Sequence, residues 1–155
     1  MRKGFLLIAL MLGFQSVQAK IDICVFDLQG KAGESYKTVE EWALAAKAWK
    51  VDMNLIPYQD EAKAQNDFDA GKCDGVSMTS MRARKYNKFA GSIDALGAVP
   101  NNSIAKKAIT YVLDPRNKNR LVTEMDGDKY EVVVIVQIGL AYVFVRDRNI
   151  DTIEK

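Results

Sequence analysis

The chain has 155 residues, of which 22 are Lys or Arg, 20 are Asp or Glu, two are Cys and none is His. The absence of His excludes Ser-His-Asp and Cys-His catalysis and removes the commonest ligand of transition metals. Two distant Cys give no zinc site, and the chain has neither a P-loop nor a full dinucleotide-binding glycine motif. We therefore expect no metal and no other cofactor.

Residues 1–19 have the pattern of a secretory signal peptide. Arg2 and Lys3 form a basic start, Gly4–Phe14 is an apolar run, and Val17–Ala19 ends on a small residue. The apolar run is too short to cross a bilayer as a permanent anchor. We therefore expect export to the periplasm.

The predicted mature chain is electrically neutral. Residues 1–19 hold two basic residues and no acidic one, so 20 basic and 20 acidic residues remain after cleavage. Nucleic-acid binding relies on a dense cationic surface, so we expect no nucleic-acid partner. The remaining length is enough for one domain.

Strands and helices alternate along the first half of the mature chain. Apolar periodicity predicts strands and helices in the order Ile21–Leu28 (strand), Ser35–Lys50 (helix, capped by Ser35), Val51–Pro57 (strand), Glu61–Ala70 (helix) and Cys73–Met78 (strand). Connections of this length imply parallel pairing. The predicted fold is therefore α/β, with a mostly parallel sheet flanked by helices.

The second half is less regular. The predicted elements are two helices, Ile104–Leu113 and Pro115–Glu124, then two strands, Tyr130–Val136 and Ala141–Val145, and a new segment, Asp147–Lys155. In that last segment Asp151 could cap a helix.

Three loops are expected to meet at the carboxyl ends of the first three strands, where open α/β sheets bind their ligands. They cover residues 27–33, 58–61 and 78–84. The candidate ligand-binding residues in them are Asp27, Gln29, Tyr58, Gln59, Thr79, Ser80 and Arg82.

The third loop has the strongest features of an anion site. Thr79 or Ser80 can cap a new helix whose free N–H groups, together with Arg82, favour a carboxylate. The solute would then be an organic acid or a zwitterion. The alternative for Arg82 is a surface salt bridge to Asp60 or Glu61.

Asp27 and the two Cys each leave alternatives open. The Asp27 carboxylate can repel an anionic solute, hold Arg82 in position, or recognise an amino group. In an exported chain Cys24 and Cys73 can form a disulfide if their strands are neighbours. The alternative is two buried free thiols.

Two segments carry a resemblance to a known family. Together with the order of elements, Ala70–Val76 (AGKCDGV) and Ala141–Arg148 (AYVFVRDR) resemble the first lobe of type 2 periplasmic solute-binding proteins. The resemblance is greatest to a bacterial branch labelled as transporter-associated. It implies a first lobe over residues 20–136, and a crossing strand with the start of a second lobe over residues 137–155.

Members of that family trap solute in a cleft between two lobes, and we expect this chain to hold the first lobe without the second. The resemblance implies an N-terminal fragment, with a naturally complete one-lobe protein as the alternative. It also implies non-enzymatic capture of a small polar or anionic solute for an inner-membrane transporter. The alternatives are a periplasmic accessory or sensor module that binds a protein partner, and an exported dehydratase-like enzyme that uses Asp27 or Asp60 as a general acid.

Overall fold

A computed structural model describes residues 20–94 and 99–138. The predicted signal peptide, the predicted strand Ala141–Val145 and the segment Asp147–Lys155 lie outside these residues. Within them the chain forms a three-stranded parallel sheet, a two-stranded antiparallel sheet and the helices around them.

The parallel sheet is centred on the first strand. It consists of β1 (Lys20–Phe26), β2 (Asp52–Tyr58) and β3 (Gly75–Ser77), in the order β2-β1-β3. Both neighbours pair with β1 in parallel. Three consecutive residues of β1, Ile23 to Val25, are buried, as expected for a central strand that is covered on both faces. The predicted α/β fold with a mostly parallel sheet is confirmed.

Helix α1 (Glu34–Ala46) covers one face of the sheet. Its Tyr36 and Val39 form a core with Ile23 and Val25 of β1. The helix continues as a 3-10 turn over Lys47–Trp49. The prediction that Ser35 caps this helix is wrong, because the helix begins at Glu34 and Gly33 occupies the N-cap position.

Helix α2 (Glu61–Asp69) follows β2 as predicted. The Asp60 side chain accepts hydrogen bonds from the backbone N–H groups of Ala62 and Lys63, which caps the helix. Ala64 of this helix is fully buried.

A disulfide joins Cys24 to Cys73. Cys24 lies in β1, fully buried, and its Cα atom is 5.8 Å from that of Cys73. Cys73 comes two residues before β3 rather than inside it, so the predicted strand Cys73–Met78 was too long. The two thiols are therefore not free.

The second half of the described chain builds a smaller layer. Its elements are α3 (Ser80–Ala83), a 3-10 turn (Ala90–Asp94), α4 (Asn102–Val112), a second 3-10 turn (Pro115–Arg120), β4 (Val122–Met125) and β5 (Asp128–Glu131). Ala90, Val112 and Leu121 form its core. The rings of Phe68, Tyr86 and Tyr130 lie 5.0–6.0 Å apart and join this layer to α2.

Two predictions for this region are wrong in part. The predicted helix Pro115–Glu124 is a 3-10 helix over Pro115–Arg120 that gives way to β4, and the predicted strand Tyr130–Val136 is replaced by β5, which ends at Glu131. Asp126 and Gly127 both have positive φ, 56° and 89°, so they form a tight hairpin turn that pairs β4 with β5. Pairing across this turn outweighs the local preference for helix.

We expect the Cys24–Cys73 disulfide to stabilise the fold. It joins residues 49 apart in sequence, and a loop of that length corresponds to about 4 kcal/mol in the chain-entropy account. The double variant Cys24→Ala/Cys73→Ala should unfold at a lower urea concentration, and reductant should lower the midpoint of the unsubstituted protein. Reductant should not affect the double variant. Equal midpoints for the two proteins would contradict this prediction.

Candidate functional site

The three predicted loops lie at one edge of the parallel sheet. In the strand register Phe26 is opposite Tyr58, and Val25 is opposite Ser77. The backbone N–H of Asp27 donates to the Tyr58 carbonyl at 2.9 Å, which continues the pairing of β1 with β2 past the strand ends. The loops after β1, β2 and β3 therefore leave the sheet side by side.

The Asp27 carboxylate caps helix α1 from the end of β1. Oδ1 accepts from the Gln29 N–H at 2.8 Å, and Oδ2 accepts from the N–H groups of Ser35 and Tyr36 at 2.9 and 3.3 Å. A side chain at position 33 would overlap this carboxylate, so Gly33 is required by close approach. Asp27 is buried and holds the loop against the helix.

The Tyr58 hydroxyl is directed onto α2. It donates to Asp67 at 2.9 Å, and the same carboxylate accepts from Lys63 at 3.0 Å and from Lys72 at 2.7 Å. Bonds from Lys72, Lys63 and Tyr58 hold the pKa of Asp67 well below its usual range. Burial, followed by the bond to Asp67, raises the pKa of Tyr58. Tyr58 therefore stabilises the contact between β2 and α2.

The start of α3 already contacts a carboxylate, which belongs to Glu61 of this protein. Glu61 accepts from the Thr79 backbone N–H at 2.7 Å and from Arg82 Nε at 3.1 Å. Arg82 Nη1 also donates to Gln65 at 2.8 Å. The predicted alternative, a salt bridge from Arg82 to Glu61, is present, and the predicted side-chain cap by Thr79 or Ser80 is not. Within the described residues, no hydrogen bond or ion pair joins Arg82 to Asp27.

The exposed part of the edge combines neutral polar groups with apolar side chains. Gln29, Gln59 and Thr79 are exposed, and Ser80 is half-buried. Leu28 and Met81, which the sequence did not single out, are 77% and 75% exposed. We call the surface formed by these six residues the edge face.

Two surface depressions lie away from the edge face. One is bounded by α4 and the segment after β5, and another by the β4–β5 hairpin. Within residues 20–94 and 99–138, no group of three His, Cys, Asp or Glu is arranged to hold a metal ion. In the same residues no helix is long and apolar enough to cross a membrane.

We expect Asp27→Ala to lower the free energy of unfolding by about 2 kcal/mol, because three backbone N–H groups lose their acceptor. Asp60→Ala removes an exposed cap from α2 and should cost about 1 kcal/mol. Urea denaturation of both variants measures the difference. An Asp27→Ala variant as stable as the unsubstituted protein would show that this carboxylate is not a structural cap.

Asp67 makes stability depend on pH. Its pKa is lower in the folded protein than in the unfolded chain, so its contribution is present above the ordinary Asp pKa of about 4 and is lost as the pH falls. The thermal midpoint of the unsubstituted protein should therefore fall more steeply below about pH 4 than that of Asp67→Asn. Asp128→Asn, which changes an exposed carboxylate on β5, should leave the dependence of the thermal midpoint on pH unchanged. Equal slopes for all three proteins would contradict the assignment.

Comparison with known proteins identifies the family. A family model described as "Solute-binding protein AdeT 1/2" matches residues 42–155. The chain is also 38% identical, over 131 residues, to the Acinetobacter baumannii protein named "Probable solute-binding protein AdeT1". That match covers 84% of this chain and 42% of the relative, so the chain spans less than half the length of that relative. No solved structure matches the chain. The chain belongs to the AdeT 1/2 solute-binding protein family.

Proposed function

We propose that this protein captures a small polar organic solute in the periplasm for delivery to an inner-membrane transporter. One observation carries the proposal: three loops leave adjacent parallel strands at the same edge. That edge is where open α/β sheets bind ligands, and the family is named for solute binding. Export rests on the signal-peptide pattern of residues 1–19.

In the proposed role the protein binds its solute and catalyses no reaction. The enzymatic alternative needs Asp27 or Asp60 as a general acid, but both carboxylates accept hydrogen bonds from backbone N–H groups at helix starts. These contacts support a structural role for the two residues. The absence of His, the commonest general acid or base, also supports binding without catalysis.

We further propose that the edge face is one wall of a cleft. Leu28, Gln29, Gln59, Thr79 and Met81 are all exposed, whereas small-molecule sites bury most of their ligand. An opposing wall would supply the missing burial, as in the two-lobed type 2 proteins that the sequence resembles. Residues 20–136 would then form the first lobe, and residues 137–155 would lead towards the second.

An anionic solute would have to compete with Glu61. Its carboxylate already accepts from Arg82, which the sequence suggested as a donor to a solute carboxylate, and from the Thr79 N–H at the start of the same helix. Displacement would leave the charge of Glu61 without its partners, which is costly where the group is partly buried. Carboxylate binding at this point is therefore disfavoured by an internal competitor.

The proposal predicts ligand-dependent stability. A screen of the purified protein against sugars, polyols, amides and organic acids should find compounds that raise the thermal midpoint in proportion to the logarithm of their concentration. A midpoint that stays constant across the whole panel would contradict solute capture by this chain.

Glu61→Gln should strengthen binding of succinate. The substitution removes the competing charge, and a tenfold gain in affinity would correspond to about 1.4 kcal/mol. Calorimetric titration with succinate measures it. Glu41→Gln, which removes an exposed charge from α1, is the matched control and should change nothing. Unchanged or weaker binding in Glu61→Gln would contradict the competition.

A further inference from the structure

The charged residues among the candidate site residues are satisfied within the protein. Asp27 accepts from three backbone N–H groups. Arg82 donates to Glu61 and Gln65. A solute would therefore have to compete with Glu61 for Arg82 and with three backbone N–H groups for Asp27.

The groups that remain on the edge face are uncharged. The amides of Gln29 and Gln59 and the hydroxyls of Thr79 and Ser80 can each donate and accept hydrogen bonds. In the described part of the chain, one bond from these side chains is found, from Gln59 Nε2 to the Leu28 carbonyl at 3.3 Å. The others are available to a partner that both donates and accepts.

Two apolar side chains accompany these groups. Leu28 comes two residues after β1 and Met81 four residues after β3, and these strands are adjacent and parallel. Because parallel strands end at the same edge, the chain leaves the sheet at that edge on its way to both residues. At 77% and 75% exposure they offer most of their apolar area to a ligand.

From this set of groups we infer that the edge face takes an uncharged solute that carries hydroxyl or amide groups beside an apolar part, such as a glycoside. The inference rests on the proposed function and specifies its substrate class. Amides and hydroxyls would bind the polar part, and Leu28 and Met81 would contact the apolar part. An anion finds no free cation among the candidate residues, and burial of a charge without a partner is costly.

Two exposed cations, Arg84 and Lys31, lie in the loops that carry the edge face. Arg84 lies at the far end of α3, where its side-chain stem packs beside Gly91. Lys31 lies in the 3-10 turn that follows Gln29. Lys31 is therefore the cation through which an acid could still bind near the edge face.

Matched pairs of probes test the inference on the full chain. Phenyl glucoside and phenyl glucuronide share their ring, hydroxyls and apolar group, and they differ in a CH2OH against a carboxylate. Butyramide and butyrate form a second pair. Calorimetric titration should show at least one neutral probe binding tenfold or more tightly than its acid.

Variants locate the contact. Leu28→Ser and Met81→Ser should each weaken phenyl glucoside binding several-fold and leave the thermal midpoint unchanged, because both side chains are exposed. Leu44→Ser is the control, since Leu44 is 60% exposed on α1. It should bind phenyl glucoside like the unsubstituted protein.

Other outcomes overturn the inference in distinguishable ways. If neither neutral probe binds more tightly than its acid, the inference is contradicted, whether or not Lys31→Gln changes the ratio of affinities, while solute capture itself stands. Phenyl glucoside affinity that is unchanged in both Leu28→Ser and Met81→Ser contradicts the apolar contact. If no probe in either pair binds, the uncharged-solute inference fails. If the whole stability screen is also without effect, the proposed function fails with it.

Discussion

The central position of β1 is the constraint on which the rest of the structure depends. Both β2 and β3 pair with it in parallel, and its side chains alternate between the core under α1 and the disulfide side. Because parallel strands end at the same edge, this pairing alone brings three loops together that are far apart in sequence. The Cys24–Cys73 bond ties β1 to the chain two residues before β3, so this end of β3 stays beside β1 while the bond is intact.

The same interactions that stabilise the loops also set the chemistry of the edge. Asp27 is needed as the acceptor for the start of α1, and Glu61 is needed to hold Arg82 and the first residue before α3. Each carboxylate makes hydrogen bonds that stabilise the local structure. The side chains of the edge face are amides, hydroxyls and the apolar side chains of Leu28 and Met81, with Lys31 and Arg84 exposed in the same loops.

Much of the α/β layer could be predicted because it depends on local signals. Apolar periodicity identified β1, β2, α1 and α2, and their alternation gave parallel pairing. The pairing of Glu61 with Arg82 joins residues 21 apart, and no local pattern decides between that contact and a free guanidinium. The exposure of Leu28 and Met81 likewise depends on what packs around them. The β4–β5 hairpin did have a local signal, the Asp126-Gly127 pair, which the helix prediction overlooked.

Chemical-shift mapping of the ¹⁵N-labelled protein tests the central claim most directly. Titration with the tightest-binding compound of the stability screen should shift backbone amides around residues 28–30, 58–59 and 79–82. The account predicts that these three groups of amides move together, because the strand register places them at one edge. Shifts confined to α4 and the residues after β5, with the three loops unaffected, would contradict it.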